Sequence, residues 1–287
     1  MKGVIITSGF GTRLWPVTTV YPKIFHLIYD KPSVFYNLAL LIDMEITDIC
    51  IVGTPSSNVL LKKLLDDSYL GINITFIDEK EEEVKGTATS LLKAQQFINN
   101  DDFTLFLGDS LFIDMSNRVF LELKTKFEKH RTSLTITTPV WDARPFAYFD
   151  NGKAVEKGKD KAKREAIPGF YIFSTDVFKY LKRVKVSPRD EYEIVSAVNL
   201  MIKDHKFISE GLQDSIVWID TGSVKTLQLA TNLVGNLQQI TGVLVGSPHL
   251  EALKKQLINR KQLHAYLTNK KGLYASRLQE LITSGSK

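Results

Sequence analysis

The sequence predicts an α/β fold in which a mostly parallel central sheet is covered by helices and followed by a helical C-terminal segment. Three observations support this prediction. Short apolar runs rich in β-branched residues recur along the chain as far as Asp220. Segments with helical spacing of apolar residues separate these runs, which is the order expected of parallel strands joined by crossover helices. From Val224 onward the helical spacing continues almost without interruption.

Strands are predicted where apolar runs end at turn-forming residues. In chain order these runs cover residues 3–6, 48–52, 72–77, 103–107, 133–138, 168–173 and 216–219. Helices are predicted where apolar residues recur every three or four positions. They cover residues 33–44, 58–65, 90–98, 121–129, 176–184, 191–203, 225–239, 250–259, 261–267 and 273–282. Asp150-Asn151-Gly152 predicts a hairpin turn, and the charged segments 78–85 and 153–164 predict solvated loops.

The first predicted strand runs into a glycine turn that is suited to anions. Gly9 and Gly11 stand one residue apart, and glycine lets the backbone turn sharply and approach a ligand closely. Backbone N–H groups in such a turn can surround a phosphate, while Arg13 and Lys23 supply positive charge nearby. The alternative is an ordinary strand-to-helix turn with a surface arginine. The nucleotide-binding candidates in this turn are Ser8, Gly9, Phe10, Gly11 and Thr12.

Two common phosphate loops are excluded by the residues that follow. A dinucleotide-binding fingerprint needs a third glycine three residues after the second, and Leu14 stands at that position. A Walker loop needs Gly-Lys-Ser/Thr, and neither Gly9 nor Gly11 is followed by lysine. Any phosphate site at this turn is therefore of another type.

The composition fits one large domain or two small ones that bind small anionic ligands. Hydrophobic residues make up 44% of the 287 residues, enough for a sizeable core. The net charge of +5 suits anions, but no basic block is interleaved with aromatic residues, so nucleic acid is not an expected partner. The single cysteine, Cys50, lies in an apolar run and is predicted to be buried. No apolar stretch is long enough for a signal peptide or a membrane span, so we expect a cytoplasmic protein without membrane contact.

Two aspartates follow predicted buried strands. Asp109 comes shortly after the run 103–107, and Asp220 comes directly after the run 216–219. Open α/β sheets bind ligands at the carboxyl ends of their strands, so neighbouring strands would bring the two carboxylates together. Mg²⁺ is often held by one or two carboxylates and substrate phosphates, whereas the five histidines show no zinc-ligand spacing. We therefore predict a Mg²⁺ site here; the alternative for Asp109 is a turn or helix-cap aspartate.

Several motifs in the same order resemble the sugar-1-phosphate nucleotidylyltransferases, in particular the branch that makes dTDP-glucose. They are Gly9-Phe10-Gly11-Thr12-Arg13-Leu14-Trp15-Pro16, Lys23, Leu107-Gly108-Asp109, Glu156-Lys157, Glu191-Tyr192-Glu193-Ile194 and Trp218-Ile219-Asp220-Thr221-Gly222. With the tail at 247–251, they span nearly the whole chain. The resemblance implies a Rossmann-like, GT-A-like nucleotidyltransferase domain over residues 1–223. It also implies a helical region, residues 224–287, that packs on this domain or forms oligomer contacts.

The resemblance implies a reaction as well. A phosphate oxygen of the sugar 1-phosphate, expected to be glucose 1-phosphate, attacks the α-phosphorus of dTTP or UTP, and pyrophosphate leaves. Charge neutralisation would come from Arg13, Lys23 and Lys157, with Mg²⁺ on Asp109 and Asp220. Further nucleotide contacts would come from Glu81, Gly86 and Gly108, and sugar contacts from Ala147, Glu156 and Gly169. The expected assembly is a homo-oligomer, a dimer or a tetramer.

The chain departs from the family pattern where the base and the sugar are contacted. Ser8 stands where a glycine is usual, Phe146-Ala147 where Tyr-Gly is usual, and Glu81 where a glutamine reads the base. A carboxylate only accepts hydrogen bonds, so Glu81 would suit the amine of cytosine better than thymine. Two hypotheses follow: an active enzyme with a shifted preference, such as for CTP, or a binding or regulatory paralogue without turnover.

Overall fold

The computed structural model describes residues 1–65, 70–114, 116, 118–158 and 161–283. The strands are β1 (Lys2–Ile6), β2 (Leu27–Ile28), β3 (Lys31–Pro32), β4 (Asp48–Gly53), β5 (Asn73–Asp78), β6 (Phe103–Leu107), β7 (Ser110–Asp114), β8 (Ser133–Val140), β9 (Tyr148–Asp150), β10 (Lys153–Val155), β11 (Arg164–Ala166), β12 (Phe170–Phe173), β13 (Phe207–Gly211) and β14 (Ile216–Asp220). The helices are α1 (Val34–Asp43), α2 (Pro55–Leu65), α3 (Thr87–Lys93), α4 (Gln95–Ile98), α5 (Val119–His130), α6 (Val177–Leu181), α7 (Ile194–Lys203), α8 (Val224–Thr241), α9 (Pro248–Lys254), α10 (Arg260–Leu267) and α11 (Leu273–Thr283).

The central sheet is mixed, and its two halves differ in strand direction. Within the described residues it has ten strands in the order β10-β9-β11-β8-β12-β6-β1-β4-β5, with β13 beside β8. The strands β6, β1, β4 and β5 are parallel neighbours, while β12 runs antiparallel to both β6 and β8. The predicted α/β class with C-terminal helices is confirmed. The parallel arrangement holds for the first half of the chain, where helices connect the strands.

Two apolar layers cover the sheet. One contains Ile5, Ile51 and Phe106 together with side chains from α1 and α5, and the other contains Val4, Val52 and side chains from α3 and α7. Residues of β1 alternate between these layers because successive side chains of a strand point to opposite faces. The helices α9, α10 and α11 belong to the first layer, to which they and neighbouring segments contribute the side chains of Leu244, Ala252, Ile258, Leu263, Leu267, Ala275 and Leu278. The helix α8 packs in a separate cluster, in which its Ala230 and Val234 meet Ile28 of β2, Ile113 of β7 and Ile219 of β14.

Several short strands were not predicted, and the reason is local. The predicted hairpin at 150–152 is confirmed, because Lys153 of β10 pairs with Asp150 of β9. The segment 153–164, predicted as a loop, instead contains β10 and the start of β11, and its residues 159–160 lie outside the described chain. These strands have three residues each and carry polar side chains, so they lack an apolar run.

A small ribbon outside the central sheet positions the second aspartate. The strands β7 and β14 are antiparallel, and Asp220 lies opposite Ser110 in their register. Ser110 directly follows Asp109, so this pairing brings the ends of β6 and β14 to one edge of the molecule. The sequence did not predict β7, because its residues directly continue a predicted turn.

Candidate active site

The glycine turn and Asp109 lie side by side because β1 and β6 are parallel neighbours. Ile6 pairs with Leu107, and the N–H of Gly108 donates to the carbonyl of Ile6 at 2.9 Å. The carboxyl ends of both strands therefore meet at one edge of the sheet. This edge is where open α/β sheets bind ligands.

The two predicted phosphate-binding cations each contact one of the two predicted metal ligands. Lys23 Nζ is 2.7 Å from Asp109 Oδ2, and Arg13 Nη2 is 3.1 Å from Asp220 Oδ2. The Asp109 and Asp220 side chains are 24% and 13% exposed, so both carboxylates face a partly closed site. The structure thus brings these four side chains to one place.

Asp109 and Asp220 are tied to each other through the residue that follows Asp220. The backbone N–H and the hydroxyl of Thr221 both donate to the carbonyl of Asp109, each at 2.9 Å. Asp220 Oδ1 accepts from the N–H of Gly222 at 2.7 Å, which fixes the orientation of that carboxylate. Asp109 is therefore positioned by backbone pairing, and it does not act as a helix cap.

Electrostatics keep Asp109 charged despite its burial. Burial alone raises the pKa of its carboxyl, but the positive charge and the hydrogen bond of Lys23 outweigh this effect. The net pKa of Asp109 is lowered. When a phosphate takes up the lysine, the ionised carboxylate loses its partner. It can then bind a metal cation in place of the lysine.

Two clefts open at this edge, and they meet. The first, of about 380 Å³, is lined by the glycine turn, Lys23 and the segment around Gly86. The second, of about 180 Å³, is lined by Arg13, Asp220 and the predicted sugar-contacting residues. Five residues line both clefts: Thr87, Leu107, Asp109, Lys157 and Glu191. A ligand in one cleft can thus touch a ligand in the other beside Asp109 and Lys157.

The second cleft has an aromatic wall and a charged rim. Phe146 and Trp218 pack edge to face with ring centroids 4.9 Å apart. On the charged rim, Glu156 contacts Arg189, with Oε1 and Nη1 3.3 Å apart. Burial, with the negative charge of Glu193 nearby, raises the pKa of Glu156. The predicted sugar contacts Ala147, Glu156 and Gly169 all line this cleft.

Most predicted nucleotide contacts line the first cleft, but two do not. Ser8, Gly9, Phe10, Gly11, Thr12 and Gly86 line it. Gly108 packs instead against the backbone of β1, where an added Cβ would lie 3.0 Å from the carbonyl oxygen of Ile6. Glu81 is exposed, and it lines a neighbouring pocket that shares Ser8, Gly9 and Phe10 with the first cleft.

The structure also places residues in the clefts to which the sequence assigned no role. Glu191 lies in a motif that was noted from sequence, whereas Ser90 and Tyr171 carried no recognisable signal. Arg189 bridges Glu156, Glu191 and Glu193. An isolated arginine in a loop could not be paired with these partners without the fold.

The donor set fits the predicted Mg²⁺. Two carboxylates at one sheet edge, beside cations suited to phosphate, match the preference of Mg²⁺ for few protein ligands completed by phosphate and water. No group of three or more His, Cys, Asp or Glu side chains within the described residues could hold a metal by itself. Substrate phosphates would have to complete the coordination.

Among the described helices, none combines the length and apolar character that crossing a membrane requires.

The fold and this edge together define an α/β protein with two adjoining clefts at the carboxyl ends of its sheet strands. Comparison with known proteins gives the family. The family model described as nucleotidyl transferase matches residues 2–236. A glucose-1-phosphate thymidylyltransferase of Mycolicibacterium smegmatis is 33% identical over 99% of this chain and 96% of its own length. One of Mycobacterium tuberculosis is 30% identical over 92% of each chain.

Solved structures agree with the sequence comparison. A Bacillus anthracis protein assigned as a glucose-1-phosphate thymidylyltransferase, in complex with a sucrose, superposes with a TM-score of 0.72 at 26% identity. That superposition covers 81% of this chain and 94% of the other. A UDP-glucose pyrophosphorylase complexed with UDP-glucose shares the fold at 22% identity, with a TM-score of 0.71. The chain belongs to the nucleotidyl transferase family.

Proposed function

We propose that this protein joins a sugar 1-phosphate to a pyrimidine nucleoside triphosphate and releases pyrophosphate. Relatives named as glucose-1-phosphate thymidylyltransferases make glucose 1-phosphate with dTTP or UTP the first pair to test. CTP is the alternative nucleotide. The observation that carries the proposal is the meeting of the two clefts beside Asp109 and Lys157.

The proposed reaction needs positioning and charge neutralisation rather than a protein nucleophile. A phosphate oxygen of the sugar 1-phosphate forms a bond to the α-phosphorus, and the bond from that phosphorus to the β-phosphate oxygen breaks. Pyrophosphate departs with the electron pair. In this account Lys157, on the rim shared by both clefts, holds the attacking phosphate. Arg13 and Lys23 neutralise the triphosphate and the departing pyrophosphate.

The ion pairs of the free protein suggest how the substrate is received. On binding, Lys23 and Arg13 would turn from their aspartates to phosphate oxygens, which frees both carboxylates. Asp109 and Asp220 would then hold Mg²⁺, which supplies further charge neutralisation on the phosphates when bound. Glu156 would orient a sugar hydroxyl from its place in the second cleft. A homo-oligomeric assembly and a cytoplasmic location stay predictions.

Pyrophosphate release tests the proposal directly. The purified protein would be incubated with Mg²⁺, glucose 1-phosphate and each of dTTP, UTP, CTP, ATP and GTP, and the products identified by mass. We expect a nucleotide sugar and stoichiometric pyrophosphate with at least one pyrimidine nucleotide, and neither product without sugar phosphate. Tight nucleotide binding without product from any sugar 1-phosphate would instead favour a binding or regulatory paralogue.

A further inference from the structure

A buried glutamate stands behind the wall of the first cleft. Glu79 follows β5 directly and is 0% exposed. Ser90 Oγ donates to Glu79 Oε2 at 2.7 Å, and Ser8 Oγ lies 3.2 Å from Ser90 Oγ. Both serines line the cleft. A chain of three side chains thus runs from a buried carboxylate to the cleft wall, where Ser8 and Ser90 are each 2% exposed.

The bond to Glu79 sets the direction of this chain. Ser90 Oγ is the donor and Glu79 Oε2 is the acceptor. The one hydroxyl hydrogen of Ser90 is then used, and Ser90 can only accept from Ser8. Ser8 in turn uses its hydrogen on Ser90. Towards the cleft, both hydroxyls are left with lone pairs, and the wall offers acceptors.

Glu79 also has an unmet acceptor of its own. Among the described residues, none donates a hydrogen bond to its Oε1, although this atom is buried. Burying a carboxylate oxygen without a donor is costly, and such atoms are rare in native proteins. The buried end of the chain therefore holds an acceptor for which the described residues supply no donor.

The two serines lie beside a stretch of uncharged backbone in this cleft. Ser90 Oγ is 3.3 Å from the carbonyl oxygen of Gly86, and Val84 also lines the cleft. Lys23, Asp109 and Lys157 line the same cleft and would receive phosphates, so we call the part beside the serines and Gly86 its base end. A mostly uncharged surface with a few fixed polar groups is suited to a nucleobase.

We propose that Glu79, acting through Ser90 and Ser8, makes the base end of the cleft an acceptor wall that selects cytosine nucleotides over uracil and thymine nucleotides. This inference rests on the proposed function, of which it specifies the substrate. Cytosine presents an amine at its 4-position, where uracil and thymine present a carbonyl oxygen. In this proposal the 4-position of the base is the group that meets the wall, so an amine there donates to it, whereas a carbonyl oxygen there would face other acceptors. Glu79 is a positioning residue and does not itself touch the base.

Glu81 is the rival for this role. It is the residue that the family resemblance places at the base-reading position, yet its side chain is exposed and lines a different pocket. Glu82 is a third glutamate of the same segment, is also exposed, and lines none of the clefts described above. The same Glu→Gln change can be made at all three positions. Comparing the three variants distinguishes an effect of the Glu79 hydrogen-bond chain from a general effect of removing a carboxylate from this segment.

The test compares CTP with UTP, which differ only at the edge of the base. For the full-length protein with Mg²⁺ and glucose 1-phosphate, we expect kcat/KM for CTP to exceed that for UTP by about tenfold or more. Glu79→Gln gives the relay a donor at its buried end, and the CTP/UTP ratio should fall by about tenfold. Ser90→Ala, which removes the relay from the cleft side, should lower the ratio as well if Glu79→Gln does not fold. Glu82→Gln should leave it unchanged.

The outcomes separate this inference from the proposed function. A wild-type preference for UTP or dTTP would overturn the inference, and so would an equal loss of activity with both nucleotides in Glu79→Gln. A ratio that moves with Glu81→Gln but not with Glu79→Gln would assign base reading to the rival. If no nucleotide gives product, the proposed function fails. Calorimetric Kd values for CTP and UTP, in wild type and Glu79→Gln, would then still decide the inference by the same ratio.

Discussion

At the scale of single residues, the site is a set of exchangeable ion pairs. Lys23 pairs with Asp109 and Arg13 pairs with Asp220, and all four side chains line the clefts and not the core. Because Arg13 is 50% exposed, solvent screens its pair with Asp220, which contributes little to stability. The residues of this pair are therefore free to serve ligands, so substitutions here should alter catalysis more than folding.

Asp109→Asn should lower activity mainly by weakening the Mg²⁺ site. The amide keeps the size of the side chain but loses the charge that attracts the ion. We expect kcat/KM to fall by about 100-fold and to be partly restored when Mg²⁺ is raised well above its wild-type optimum. Rates measured as a function of Mg²⁺ concentration check this. Wild-type rates at low Mg²⁺ would show that Asp109 does not hold the metal.

Lys157→Ala should impair the use of sugar phosphate more than the use of nucleotide. Lys157 lines both clefts and follows Glu156, the residue proposed to contact the sugar. Loss of its charge should raise KM for glucose 1-phosphate by about tenfold or more, because a charge-assisted contact to phosphate is lost. Initial rates with each substrate varied in turn measure the two KM values. A larger rise for the nucleotide would reassign Lys157 to the triphosphate.

At the scale of elements, a backbone clamp joins the start of α3 to the segment before α7. The N–H of Tyr192 donates to the carbonyl of Lys85 at 2.6 Å, and the N–H of Ala88 donates to the carbonyl of Tyr192 at 3.0 Å. Gly86 lies between these bonds with φ at +110°, and an added Cβ would lie 2.5 Å from the Tyr192 carbonyl oxygen. Close packing thus explains this glycine. The clamp also brings Glu191 to the clefts.

Gly86→Ala should destabilise the protein more than a comparable glycine change elsewhere. The substitution adds backbone strain of about 1–3 kcal/mol and also forces Tyr192 away. Gly152→Ala is the control, because Gly152 also has positive φ but has nothing within 4 Å of an added Cβ. Urea unfolding should show the larger loss for Gly86→Ala. Equal losses of unfolding free energy in the two variants would show that the backbone around Tyr192 can move aside without destabilising the protein.

Strands and helices were predicted correctly from sequence where an apolar pattern is continuous. Predictions failed where hydrogen bonds to residues remote in sequence determine the backbone. Residues 103–107 were predicted as a strand and form β6, because the run is apolar on both faces. The helix predicted from residue 191 begins only at Ile194, because the Tyr192 backbone is engaged with Lys85 and Ala88. A local sequence pattern does not predict a hydrogen bond between residues that are remote in sequence.

At the scale of the whole molecule, a buried ion pair ties the N-terminal region to the C-terminal helices. Lys31 and Asp30 are paired with both side chains 0% exposed. Lys31 Nζ lies 3.3 Å from Gln238 Oε1 of α8 and 5.3 Å from the ring centre of Tyr274 in α11. Burial lowers the pKa of Lys31 to about 8, although Asp30 opposes the shift. This pair connects parts of the chain that are remote in sequence.

Lys31→Met should cost far more stability than the same change in an exposed pair. Removing the lysine leaves Asp30 buried without a cation, which costs about 3–5 kcal/mol. Lys93→Met is the matched control, because Lys93 pairs with Glu83 at the surface and should contribute less than about 1 kcal/mol. Urea midpoints with unchanged m-values would measure both. Similar losses in the two variants would show that Asp30 finds other partners.

The candidate site was predictable in its charges but not in its walls. The cations and aspartates were found because they follow apolar runs and glycines at fixed positions along the chain. Glu79 was not found, because its importance depends on Ser8 and Ser90, which are distant in sequence and adjacent only after β1, β5 and α3 assemble. Likewise, Trp218 and Phe146 form one wall only when β14 packs beside the loop at 142–147.

The rate of pyrophosphate release by wild type and by Asp220→Asn, with Mg²⁺, glucose 1-phosphate and a pyrimidine nucleotide, tests the central claim most directly. We expect steady turnover to a nucleotide sugar in the wild type. In the variant we expect a loss of about 100-fold or more, with an unchanged unfolding midpoint. Turnover that survives Asp220→Asn intact, or a wild type that forms no nucleotide sugar with any pair, would contradict it.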